Sequence, residues 1–208
     1  MMQILSHRGY WKTVEEKNSP IAFERSFSLN YGTETDIRDY LGDLVISHDI
    51  ANAHSISCGE LLEKYNNHNP TLPLALNIKA DGLQLPLKTL LTKYNITNYF
   101  VFDMSVPDTI GYIKNDIRFF TRLSEYEIEP SFYEQCAGIW LDAFESIWYN
   151  AAVIEKHLNN GKEVAIVSSD LHKRPVEDLW EMLKYSGVYK NILLCTDIPE
   201  DASIFFSE

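Results

Sequence analysis

Short runs of β-branched and aromatic residues alternate along this chain with stretches whose apolar positions recur every three or four residues. The first pattern predicts strands and the second helices. Strands are predicted at MQILSH (2–7), TETDIR (33–38), LVISH (44–48), PLALNIK (73–79), NYFVFDM (98–104), IRFFTRL (117–123), GIWLDAF (138–144), EVAIVSS (163–169) and NILLCTD (191–197). Helices are predicted at 19–30, 58–67, 85–95, 106–115, 130–136, 149–160 and 175–186. Ser19-Pro20 reads as an N-cap followed by proline at the first helical position. Gly161 and Gly187 stand where helices should end.

Strand-then-helix order implies parallel pairing through right-handed crossovers. Residues 33–38 and 44–48 are separated by only Asp39 to Asp43. That gap is too short for a crossover helix, so the pair should form a hairpin-like extension at one position of the sheet. Eight βα units then remain, which predicts a compact (β/α)8 TIM barrel, a single domain over residues 1–208. An open doubly wound sheet would carry a glycine-rich turn after its first strand, and Arg8-Gly9-Tyr10 is not one.

Composition narrows the partners. The chain has 208 residues and a formal net charge of -12, which argues against nucleic acid, whose backbone needs a basic face. No apolar stretch approaches the ~20 residues of a membrane span. The N-terminus has no basic region, apolar run and cleavage site of the kind a signal peptide shows. Cys58, Cys136 and Cys195 have no metal-site or CxxC spacing, so free thiols in a reducing compartment, the cytoplasm, are expected. Oligomeric state is left open.

In such a barrel the strand C-terminal ends share one rim. Polar residues gather at those ends: His7 and Arg8, Glu34 and Asp36, His48 and Asp49, Asn77 and Lys79, Asp103, Arg122, Asp142, Asp170, Thr196 and Asp197. For Asp103, Asp170 and Asp197 a solvated loop is explanation enough. Glu34 and Asp36 lie at i and i+2 of a strand, so both carboxylates share a face. Paired carboxylates repel unless a cation lies between them, and hard oxygen donors favour magnesium, calcium or manganese over zinc. Asn77 and Lys79 repeat the same spacing. Two histidines, Arg8 and Lys79 add positive charge and proton-transfer capacity. A phosphodiester is the anion that would use all of these groups.

The pieces His7-Arg8-Gly9, Ala22-Phe23, Gly32-Thr33-Glu34-Thr35-Asp36, Leu44 to Asp49, Ile78-Lys79 and Thr196-Asp197-Ile198-Pro199-Glu200 together resemble the glycerophosphodiester phosphodiesterase family. That family belongs with the barrel-type phosphatidylinositol phospholipases C and the spider-venom type phospholipases D. The resemblance implies a barrel that cleaves a small phosphodiester with a divalent metal, Mg2+ or Ca2+. It implies His7 and His48 as the acid–base pair, Glu34 and Asp36 as metal ligands, and Arg8 and Lys79 as phosphate contacts. Family chemistry often uses a substrate hydroxyl as nucleophile, through a cyclic phosphate. Two departures stand out. Asn77 occupies a position that is usually acidic in the family, and Asp142 is the candidate to compensate for it. The segment after His48-Asp49 is also short, which trims the substrate side. A catalytically impaired barrel that binds phosphate ligands as a regulatory module is the competing expectation.

Overall fold

The computed structural model describes residues 2–207. Among them are nine strands: β1 (Gln3–His7), β2 (Gly32–Tyr40), β3 (Asp43–Ile46), β4 (Leu74–Ile78), β5 (Tyr99–Phe102), β6 (Phe120–Leu123), β7 (Gly138–Leu141), β8 (Glu163–Val167) and β9 (Leu193–Thr196). Seven α-helices accompany them: α1 (Pro20–Ser28), α2 (Cys58–Asn66), α3 (Gln84–Lys93), α4 (Val106–Lys114), α5 (Ala151–Asn159), α6 (Glu177–Ser186) and α7 (Pro199–Ser207). The strand order is β5-β4-β2-β1-β9-β8-β7-β6, with β3 on β2 and off this path. Val101 in β5 also bridges in parallel to Phe119, just ahead of β6. This is the cyclic order of a (β/α)8 barrel.

The hairpin extension forms as expected. β3 runs antiparallel to the outer half of β2, with Tyr40 opposite Asp43. The two residues between them, Leu41 (φ 51) and Gly42 (φ 93), are both left-handed, as a two-residue turn matched to strand twist requires. Two expectations fail. Residues 130–136 form turns rather than a helix, because Phe132 takes φ 56 and only a single turn, closed by the Gln135 and Cys136 N–H groups on its carbonyl, follows it. After β9, where no helix is predicted, the chain forms α7. Its Phe206 and Ala202 are buried and stabilise a segment too short to be helical alone.

The contacts gather into two compact units. One runs from Ser6 to Phe119, and the other joins the start of the chain as far as Leu5 to Phe120 and beyond. The first packs Phe23, Phe27, Tyr65, Phe100, Phe102 and Tyr112 as its largest buried side chains. The second buries Leu5, Phe120, Ile139, Leu141 and Ile166. Helix starts are closed by Ser19, which accepts from the Ala22 N–H, and by a Ser57–Glu60 capping box. All three cysteines are free and buried. No helix among the described residues is long and apolar enough to cross a membrane.

Candidate active site

The site lies within the Ser6–Phe119 unit and begins where β1 ends. After His7 the chain turns through two successive left-handed residues, Arg8 (φ 59) and Gly9 (φ 77). A Cβ at Gly9 would stand 2.8 Å from the Ala22 Cβ and 2.9 Å from the Ala22 carbonyl carbon. Glycine is therefore required, and α1 can approach closely enough for Ala22 to accept the Tyr10 N–H at 2.9 Å. This turn aims the Arg8 N–H at β2. It donates to the Glu34 carbonyl at 2.9 Å and to Glu34 Oε2 at 3.2 Å.

β2 supplies the two carboxylates, both buried. Its pairing with β4 places Asp36 beside Asn77 and Glu34 beside Ala75, so the amide of Asn77 shares a face with Asp36. Lys79 follows β4, its N–H bonded to the Ile37 carbonyl at 2.9 Å. Its ammonium reaches Asp36 Oδ1 at 3.3 Å, and Arg8 Nε reaches Oδ2 at 3.1 Å. His7 Nε2 lies 3.9 Å from Glu34 Oε2. The strand pairing thus brings together His7, Arg8, Glu34, Asp36, Asn77 and Lys79.

His48 follows β3 and is more exposed. Its Nδ1 pairs with Asp49 Oδ1 at 2.8 Å, and its carbonyl accepts from Arg38 at 3.3 Å. That hydrogen bond from His48, with the fields of His48, Arg8 and Arg38, holds the Asp49 carboxyl below its usual range. With Nδ1 engaged, Nε2 is the ring nitrogen of His48 left for another partner.

The electrostatics are unbalanced at one place. Burial, and then the charge of Asp36, push the Glu34 carboxyl well above its ordinary range, while Arg8 and Lys79 oppose the shift. Asn77 Oδ1 is buried without a hydrogen-bond partner, and Asp36 Oδ1 has only the Lys79 ammonium near it. Buried oxygens are rarely left in that state. Three hard oxygen donors on adjoining strand positions fit magnesium or calcium in kind. Among the described residues no three His, Cys, Asp or Glu side chains are grouped to hold a metal; the third oxygen donor beside the two carboxylates is the Asn77 amide.

Asp142 belongs to the other unit. Its Oδ1 accepts from the Ala143 N–H at 2.8 Å and lies 2.7 Å from His172 Nε2.

One residue of the site escaped the sequence reading. Asn18, left-handed at φ 57, donates through Nδ2 to Asp36 Oδ2 at 2.7 Å and accepts from Thr35 Oγ1 at 2.8 Å. Its own N–H donates to the Arg8 carbonyl at 2.9 Å. It ties the Arg8 turn to β2 and fixes the Asp36 carboxylate in its plane. The available signal was an asparagine just before a helix cap, a residue type that tolerates this backbone.

No family model matches the chain, and no curated protein sequence matches it. Solved structures do. A glycerophosphodiester phosphodiesterase from Agrobacterium tumefaciens matches with a TM-score of 0.72 at 14% identity, covering 100% of this chain and 99% of that one. A phosphodiesterase from Oleispira antarctica, in complex with the product sn-glycerol-3-phosphate, matches with a TM-score of 0.74 at 12% identity, covering 99% and 97%. A Ca2+-dependent phosphatidylinositol-specific phospholipase C from Streptomyces antibioticus matches with a TM-score of 0.59 at 9% identity, covering 98% and 95%. The chain therefore has the fold of these barrels end to end, and at such identities the likeness extends to the fold alone.

Proposed function

We propose that this chain is a metal-dependent phosphoric diester hydrolase acting on small phosphodiesters, glycerophosphodiester-like or saccharide-linked, with His7 and His48 as its acid–base pair. One observation carries the reading: a buried Asp36 with Arg8 and Lys79 on opposite oxygens, beside a second buried carboxylate and an unpartnered Asn77 amide oxygen. A phosphate drawing Arg8 and Lys79 toward itself would leave two buried carboxylates uncompensated, and a cation must then take the place of those charges. Glu34, Asp36 and Asn77 would hold that ion, Mg2+ or Ca2+. Asp142 is left out, since its Oδ1 is engaged elsewhere. When bound, the ion supplies Lewis-acid stabilisation of charge growing on a phosphoryl oxygen.

The chain's own groups do the rest. Arg8 and Lys79 bind and orient the phosphate. One histidine takes the proton of the attacking hydroxyl, and the other gives a proton to the departing alkoxide. Asp49 holds His48 in the orientation that presents Nε2. The matched fold and the product named for the Oleispira enzyme favour a glycerol-like alcohol, and the trimmed segment after Asp49 widens the choice. Attack by a neighbouring substrate hydroxyl gives a cyclic phosphate, whereas attack by water gives a monoester. Three buried free thiols fit a cytoplasmic setting.

Release of p-nitrophenol from bis(p-nitrophenyl) phosphate and hydrolysis of glycerophosphodiesters followed by phosphorus NMR test the reading. The expected result is activity that needs Mg2+ or Ca2+ and disappears in Asp36→Ala. Asn77, an amide where a third carboxylate would bind metal more tightly, favours a second reading, a phosphate-binding module. Metal and phosphate binding by calorimetry with no turnover of any substrate would establish that one instead.

A further inference from the structure

α6 and α7 lie outside the unit that holds the candidate active site, and a groove runs between them. It has a volume of about 340 Å3 and is lined by Val176, Glu177, Trp180, Asp201, Ile204 and Phe205. Helix spacing accounts for the lining, since Glu177 and Trp180, and then Asp201, Ile204 and Phe205, recur at three and four positions and so share a face. Trp180 is the floor, 3% exposed. Its ring packs 5.5 Å from Phe205 and 5.8 Å from Phe206, and its N–H is already given to Ser168 Oγ at 2.9 Å. Ile204 forms the lip and is 61% exposed.

The charges along this groove have one sign. Both charged residues of the lining are acidic. Each stands in the first turn of its helix with a second carboxylate beside it, Glu177 with Asp178 and Asp201 with Glu200. α7 contains no lysine or arginine, and α6 contains one, Lys184. That ammonium donates to the Phe205 carbonyl at 2.6 Å and lies 4.6 Å from the centre of the Phe205 ring. The cation of α6 is thus spent on holding α7, and the groove keeps an apolar floor with acidic edges.

We propose that this groove docks a basic amphipathic helix of a partner protein. An apolar side chain of that helix sits between Trp180, Ile204 and Phe205, and its Lys or Arg side chains face Glu177 and Asp201. An amphipathic helix laid by its apolar face into a groove is a recurrent mode of peptide recognition. The volume is at the small end of ligand clefts, which run from roughly 300 to 1,000 Å3, so it suits one or two anchor side chains. Charge selects the partner. A second copy placed on the same groove by a two-fold axis would set carboxylate against carboxylate, and a formal charge of -12 on each chain opposes the approach. An anionic lipid surface is disfavoured for the same reason. Opposite charge at the rim steers the encounter and fixes the register, while the apolar anchor supplies most of the affinity.

The test is NMR of the intact protein, read at the Trp180 indole N–H, with Trp180→Phe to assign it among the four tryptophans. The probe is a helical peptide of about 15 residues, with leucine on one face and lysine on the other. The same peptide with glutamate in place of lysine is the control. The expected result is a saturable shift with the lysine peptide alone, weakened by salt. It should weaken severalfold in Ile204→Ser and in the double variant Glu177→Gln with Asp201→Asn, with melting curves checking that each variant folds. The proposal is overturned if the lysine peptide leaves the Trp180 signal unmoved, or if the glutamate peptide binds equally. It is equally overturned if the double variant binds as tightly as wild type, which makes the attraction general to an acidic protein. Sedimentation covers the other occupants. A dimer of the protein alone that Ile204→Ser dissolves assigns the groove to a second copy, and co-sedimentation with phosphatidylcholine vesicles that Ile204→Ser abolishes assigns it to lipid; either overturns the proposal.

Discussion

Two buried aspartates of this molecule are held in opposite ways. Asp142 follows β7 and meets its own imidazole, His172, at 2.7 Å, with the adjoining Ala143 N–H on the same oxygen. Asp36, in the middle of β2, has another buried carboxylate two residues away and two cations on its oxygens. One aspartate is settled by a hydrogen-bonding partner of its own. The other sits in a group whose charges cancel only while Arg8 and Lys79 stay turned inward. Buried charge left in competition, with Glu34 pushed toward its protonated form, is what a ligand-binding site looks like before its ligand arrives. Charges around Asp36 should therefore be read out in binding and turnover. Those around Asp142 should be read out in stability.

The largest effect expected on the Asp36 side is in turnover. His7→Ala and His48→Ala should each lower it by on the order of 10²-fold or more, the scale of removing a general acid or base. A substrate with a better leaving group should rescue only the variant lacking the acid. Rate against pH should follow a bell, since one histidine works neutral and the other protonated. Near-wild-type rates in both variants would end the acid–base assignment and leave Asp36 a structural charge like Asp142.

Asn18 comes next. Groups that orient a metal ligand typically change metal affinity by about 10- to 100-fold when removed. Asn18→Ala should weaken Mg2+ or Ca2+ binding by that order, measured by calorimetry without substrate. Its effect on melting without metal should be modest. A large loss of stability with unchanged metal affinity would make Asn18 a brace for the Arg8 turn only. Asn77→Asp tests the same site in the other direction. Restoring a carboxylate beside Asp36 should tighten metal binding, and it should also lower the melting temperature without metal by adding a third repelling charge. Unchanged affinity would place Asn77 away from the ion.

These residues differ in how far they could be read in advance. Glu34 and Asp36 were legible because strand periodicity fixes which side chains share a face. Gly9 was legible as part of a pattern, but its reason, the 2.8 Å approach of Ala22, is a tertiary contact. Asn18 stands 18 positions from Asp36, and only the turn at Arg8 and Gly9 makes them neighbours. His172 lies in the polar stretch Ser169 to Arg174, where nothing local distinguishes it from loop. Its partner Asp142 was visible as a candidate metal ligand, but its pairing with His172 was not, because no sequence rule pairs the ends of β7 and β8. The strand count was readable from runs of apolar residues. Residues 130–136 were misread because the left-handed Phe132 leaves no mark in composition. α7 was missed because tertiary packing of Phe206 and Ala202 stabilises it.

The smallest effect expected is a stability change set by His157, on the settled side of the comparison. His157 is buried in the last turn of α5, with its Nδ1 2.9 Å from the Tyr133 hydroxyl. Burial, and then the charge of Lys156, lower its pKa from the ordinary 6.5. The unfolded chain therefore takes up a proton at a pH where the folded chain does not. The contribution to stability is complete above about 6.5 and is lost as pH falls through and below that value. Melting curves of wild type and His157→Asn across this range check the sign. The wild type should lose stability more steeply toward acid, while turnover normalised to folded protein should respond alike in both. If the variant shows the same acid slope, His157 is not the group responsible. If instead the variant changes the pH profile of turnover, the division between a region read out in function and a region read out in stability does not hold.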